Sequence, residues 1–379
     1  MRAVDPVVRQ TWDAIGLSSW VTVAMVQGAA DNAAPTLFQA SSSQAPPANP
    51  AAPSVAPVTG PASVVRLFDV YMFIDWSATN GRATAPGPDQ LWLGEMLAGS
   101  QPTEQWFPAR RDCAYYVEQR LLQHADALRR VLVGFDFPYG YPAGLVEAAG
   151  LPAPAGKWLA IWTALAALMN DDDQNRSNRF EVAAALNAMM TPPRPGTAPG
   201  PFWNTPAPGP LLTAASPAFP YTTRNNVSLS AWRIAERRLQ QAGTHPHSAF
   251  KLFTAGSVGS QALTGIPVVH FLRYHPLLCN LSLVWPFETG FTATIALGRR
   301  PFILHAEIWP GVVQHEAQRL RVADPPLIKD RAQVRAMCLW ADAQDAAGAL
   351  GPLFAPPADV PLADLERCVN EEGWVLGAR

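Results

Sequence analysis

The chain has 379 residues, 49% of them hydrophobic, enough to bury a substantial core in one large domain or two small ones. Its 28 basic and 30 acidic residues leave a formal charge of −2, so the overall field gives no argument for nucleic acid or an anionic membrane, and only a local basic groove stays open. Four cysteines, Cys113, Cys279, Cys338 and Cys368, form no Cys-x-x-Cys pair, which argues against a zinc ribbon or a disulfide framework and for reduced thiols in a cytoplasmic protein. The apolar run from Trp20 to Val26 follows charges at Arg2, Asp5, Arg9 and Asp13. It falls short of the about 20 apolar residues of a membrane span, so neither signal peptide nor membrane contact is expected.

Residues 1–63 read as a disordered Ala/Pro-rich leader and linker, because the stretch 29–63 is nearly all Ala, Pro, Ser, Thr and Asn and cannot offset chain entropy by burial. A short amphipathic helix around 7–15 is the one element expected there. The folded part, 64–379, opens with a buried strand over 70–75 that ends at an acid, then a turn-rich stretch and a hairpin partner over 90–96. Helical periodicity over 111–130 leads into a second apolar strand, 131–136, again ending at an acid. Strand, hairpin partner, helix and strand imply an α/β sheet with at least one parallel pair.

Helices are expected over 156–169 and 177–190, followed by a Pro/Gly-rich excursion over 191–220, and 151–244 as a whole reads as a helical, Pro-rich insertion into the sheet. The chain returns with strands over 249–254, 281–286 and 301–308, a helix from about 260 and a last helix over 329–350.

The chemistry concentrates where apolar β runs deliver carboxylates: Asp75 in Phe73-Ile-Asp-Trp-Ser77, Asp136 in Gly134-Phe-Asp-Phe-Pro138, and Glu307 in His305-Ala-Glu-Ile-Trp-Pro310. Ligands of open α/β sheets collect at such strand ends. Asp330, opening the last helix, is a fourth candidate, although taken alone a helix cap or dipole role suits it better. Like-charged acids brought together need a cation or raised pKa values, and Mg²⁺ or Mn²⁺ is the cation oxygen ligands suit. Arg179 could grip a phosphate through paired donors. Lys251 and Ser257 flank a Gly/Ser turn before a helix start, a geometry for anions that a tight turn explains nearly as well. Tryptophans such as Trp76 could stack on a heterocycle, though core packing is their commoner use.

The segments Ile74–Ser77, Val133–Pro142, Asn175–Glu181, Lys251–Gln261, Trp285–Gly290, Ala306–Pro310, Lys329–Asp330 and Glu371–Trp374 together resemble a bacterial family of ribonuclease-H-like domains of unknown function, over nearly everything from Phe68 onward. Its members carry molybdopterin-guanine-dinucleotide or cobalamin biosynthesis labels. The resemblance implies a ribonuclease-H-like mixed sheet with flanking helices. It also implies metal bound by acids of the first strand, a later parallel strand and the last helix, which are Asp75, Asp136 and Asp330, with Glu288 or Glu307 as a further ligand. The expected function is a metal-dependent hydrolase or phosphoryl-transfer enzyme acting on a nucleotide-like or nucleic-acid phosphate. The alternative is a non-catalytic accessory protein holding a heterocyclic small molecule in cofactor biosynthesis.

Overall fold

The computed structural model describes residues 65–254, 256–296 and 298–379. The leader expected over 1–63, with its helix around 7–15, lies outside them. Six strands form one mixed sheet: β1 (Val70–Asp75), β2 (Leu91–Leu97), β3 (Thr103–Phe107), β4 (Arg130–Phe135), β7 (Ser282–Trp285) and β8 (Phe302–Glu307), in the order β3-β2-β1-β4-β8-β7. A separate two-stranded ribbon, β5 (Tyr221–Thr222) with β6 (Ser228–Leu229), precedes β7 in the chain. β1, β2 and β3 are an antiparallel meander, whereas β4 is parallel to β1, β8 to β4 and β7 to β8. The crossover from β3 to β4 is α1 (Arg110–Asp126).

β1 and β4 are buried at every position because helices cover both faces of the sheet. Val70, Met72 and Ile74 of β1 and Val131, Val133 and Phe135 of β4 point into the larger core. There they meet α1, α3 (Lys157–Leu168), α4 (Arg179–Met190) and α6 (Val258–Arg273). The alternate residues Tyr71, Phe73, Leu132, Leu304 and Ala306 face a second core under α8 (Lys329–Ala346), which contributes Ala332, Ala336, Met337 and Ala341. That helix lies close on β2: a Cβ at Gly94 would sit 2.8 Å from the Val334 carbonyl oxygen, so only glycine fits there.

Two expectations need correction. The stretch 249–254 forms no strand, only a bridge between Lys251 and Trp203, because the hydrogen bonds Trp203 N–H to Phe250 O and Leu252 N–H to Trp203 O fix just two residues. β3 was not expected at all, since Thr103–Phe107 is polar and alternately exposed, as suits an edge strand. The segment 151–244 packs as part of the larger core, with α3 and α4 against α6 and with α5 (Ile234–Gln241) near the strand ends. Among the described residues no helix is long and apolar enough to cross a membrane.

Candidate functional site

β1 and β4 run parallel with Ile74 beside Phe135, so their next residues, Asp75 and Asp136, leave the sheet side by side. The ladder continues past the strands: Asp136 N–H donates to Ile74 O at 3.2 Å and Trp76 N–H to Asp136 Oδ1 at 2.6 Å. Alternation along β1 puts Asp75 on the same face as Tyr71 and Phe73, under the start of α8. Asp330 stands in the first turn of that helix. One of its oxygens accepts the Asp89 and Gln90 backbone N–H groups, while Oδ2 is buried with no hydrogen-bond partner.

These three acids are electrostatically one unit. Burial, and then the charges of Asp136 and Asp330, push Asp75 well above the usual carboxylate range. Burial raises Asp136 to about 7, with Trp76 N–H pulling against it and Asp330 pushing with it. Burial likewise raises Asp330, opposed by its backbone donors and by Lys329. The Asp75 carboxyl makes no hydrogen bond among the described residues, and the cation acting on all three acids is the exposed Lys329. Still, among the described residues no group of three or more His, Cys, Asp or Glu side chains is positioned to hold a metal ion.

The other expected acids are occupied elsewhere. Glu307 pairs in register with Phe135, and alternation along β8 places it with Ile303 on the face opposite Leu304 and Ala306, away from Asp75. Its carboxylate is clamped by Arg233, at 2.8 Å and 2.5 Å, and accepts Tyr139 N–H at 2.9 Å. Arg233 is fully buried and also holds Glu236, closing the N-terminus of α5. Glu307 and Asp136 both border a narrow cleft of about 30 Å³, room for about one water, together with Arg233, His247 and Trp309. Glu288, expected as a metal ligand, gives both oxygens to Arg273 at 2.7 Å and also accepts Val284 N–H at 2.8 Å. It is a structural acid at the end of β7.

Trp76 cannot stack on a ligand. It is fully buried against Phe135 and Phe137, with its indole N–H donated to Thr264 Oγ1 at 3.1 Å. Trp285 and Trp374 are likewise core.

Arg179 begins α4 and reaches the first turn of α6, where its Nε donates to Ser260 Oγ at 3.1 Å. Ser257 stands just before that turn, and its carbonyl accepts the Ser260 and Gln261 N–H groups. Lys251 O takes the Gly259 N–H at 3.0 Å, and a Cβ at Gly259 would lie 2.5 Å from Ala249 O. The glycines of this turn therefore serve close packing, and the N–H groups that would meet an anion at Lys251 and Ser257 are largely taken by the chain. Residues not singled out from the sequence, Asp89, Arg110 and Arg233, are set by contacts with distant segments. Lys329 could have been found from its place beside Asp330.

No protein-family model, no curated protein and no solved structure matches the chain.

Proposed function

We propose that this chain is a divalent-metal-dependent hydrolase or phosphoryl-transfer enzyme of ribonuclease-H-like build, acting on a phosphate-bearing ligand such as a nucleotide or nucleic acid. The observation that carries the reading is the trio Asp75, Asp136 and Asp330. Three carboxyls from β1, β4 and α8 are held in mutual repulsion, and one buried oxygen, Asp330 Oδ2, has no partner. A folded chain gains nothing from such an arrangement unless a cation or protons complete it. The strand order, with an antiparallel meander leading into parallel strands, supports the ribonuclease-H-like assignment.

The donor set fits Mg²⁺ or Mn²⁺. Mg²⁺ is commonly held by one or two carboxylates, with waters and substrate phosphates filling its other positions, so Asp75 and Asp136 would suffice as direct ligands and Asp330 would act on the ion by its charge alone. When bound, such an ion polarises a phosphoryl oxygen and makes a water more acidic. The chain's own residues do the rest. Asp75 and Asp136 are the residues that would hold the ion, and Lys329 acts on the same acids with positive charge. Glu307, locked by Arg233 on the other face, is not the base; a carboxylate of the trio left off the ion is better placed for proton transfer.

The test is hydrolysis of bis(p-nitrophenyl) phosphate and of single- and double-stranded oligonucleotides, with Mg²⁺, with Mn²⁺ and with EDTA. The expected result is turnover that requires the ion and falls at least a hundredfold in Asp75→Asn and Asp136→Asn. Turnover that persists in EDTA or in both variants would overturn the proposal, as would its absence from the whole panel.

A further inference from the structure

We infer that Arg179 is the centre of a binding site for a phosphate-type oxyanion, beside the segment that leaves β1 after Asp75. This deepens the phosphate reading above, but it stands on different residues. The Arg179 side chain is 4% exposed, yet its hydrogen bonds all go to neutral groups: Ser260 Oγ at 3.1 Å, Asn80 Oδ1 at 2.6 Å and Ser177 Oγ at 3.0 Å. Nη2 has no hydrogen-bond partner among the described residues, and the guanidinium carbon lies 4.5 Å from the centre of the Phe180 ring. Nη2 is the donor of this cation left for a ligand.

Burial and the neighbouring Arg110 disfavour the charged guanidinium, and Asp171 and Glu181 offset them only in part. Arg179 is the first residue of α4, and Ser260 lies in the first turn of α6, so the guanidinium sits at the positive ends of two helices of 12 and 16 residues. Neither helix start is capped by a side chain. The nearest second cation, Arg110, takes the local carboxylate for itself, binding Asp171 at 2.5 Å and 2.7 Å. Arg179 and Arg110 thus share Asp171, with Glu181 as the further acid acting on Arg179. A buried cation between two helix N-termini with neutral partners is an arrangement that folding alone disfavours and that a bound anion completes. The Ser177 hydroxyl and the guanidinium Nη2 are the donor types that phosphate oxygens accept, whereas the Ser260 hydroxyl donates to Leu252 O at 2.5 Å and serves only to hold Arg179. Asn80 follows Asp75 by five residues along the chain, which ties this site to the segment leaving β1.

The experiment is calorimetric titration of inorganic phosphate into the full chain in EDTA, at ionic strength matched with sodium chloride. Removing divalent ions keeps a failure of this site distinct from a failure of the metal reading. The expected result is saturable binding, weakened at least tenfold in Arg179→Gln and unchanged in Arg176→Gln, whose side chain lies on the surface paired with Asp172. Ser177→Ala, a mild change that keeps the fold, is expected to weaken binding about threefold. Arg179→Met should melt at or above the wild-type temperature without phosphate and lose the phosphate-dependent rise, a pair of results that a purely structural arginine would not give. No saturable binding to the wild type, or equal affinity in Arg179→Gln and Ser177→Ala, would overturn the inference.

Discussion

Two groups of acids stand at neighbouring strand ends of one sheet, and the chain treats them in opposite ways. Glu307 and Glu288, at the ends of β8 and β7, each hold an arginine by both oxygens and accept a backbone N–H as well. Asp75, Asp136 and Asp330, at the ends of β1 and β4 and the start of α8, have no such counter-ion. The charged groups that act on them are one another, Asp89 and the exposed Lys329. Because burial is similar in the two groups, the difference lies in what completes them. The glutamates are completed by the chain and belong to stability; the aspartates are left open, and the metal proposal rests on that difference.

The largest effect should come from breaking the completed group. Arg233→Met leaves Glu307 and Glu236 buried without their partner, and the expected loss is about 3–5 kcal/mol in chemical denaturation. A loss under about 1 kcal/mol would mean that the two groups do not differ as described. Next in size is the open group. In EDTA at pH 7, Asp75→Asn relieves like-charge repulsion and should stabilise the protein by about 2 kcal/mol. The sign of its pH dependence follows from raised carboxyl pKa values. The stability these groups contribute is complete below about pH 4, their unfolded range, and is lost as pH rises through about 7, the Asp136 value. Melting curves of the metal-free wild type should therefore fall across that window and those of Asp75→Asn much less. A variant that melts lower than the wild type at pH 7 would place Asp75 among the structural acids.

A buried neutral group gives the smallest effect. His305, on the same face of β8 as Glu307, has both ring nitrogens unpartnered, and burial, with help from Arg273, lowers its pKa to about 3. Its contribution is complete above about pH 6.5 and is lost as pH falls toward 3. His305→Leu should gain about 1 kcal/mol and flatten the acid limb of the stability curve. An unchanged acid limb would show that His305 has a partner in solution.

The open group was legible from the sequence because its signal is local: apolar runs over 70–74 and 131–135, each followed directly by an acid, and an acid at a helix start. The completed group was not. Arg233 stands 74 residues from Glu307, and nothing local announces that pairing. Parity was the second obstacle, since Glu307 ends an apolar run as Asp75 does, yet a one-residue difference in register turns it to the other face. β3 escaped because an exposed edge strand lacks the apolar run by which β1 was found.

The central claim is that Asp75 and Asp136 hold a divalent cation. Isothermal titration of Mg²⁺ and of Mn²⁺ into the wild type, Asp75→Asn and Asp136→Asn, each shown to be folded by circular dichroism, tests it most directly. The account predicts saturable binding in the wild type that is lost in both variants. A wild type that binds neither ion, or variants that bind as the wild type does, would contradict it.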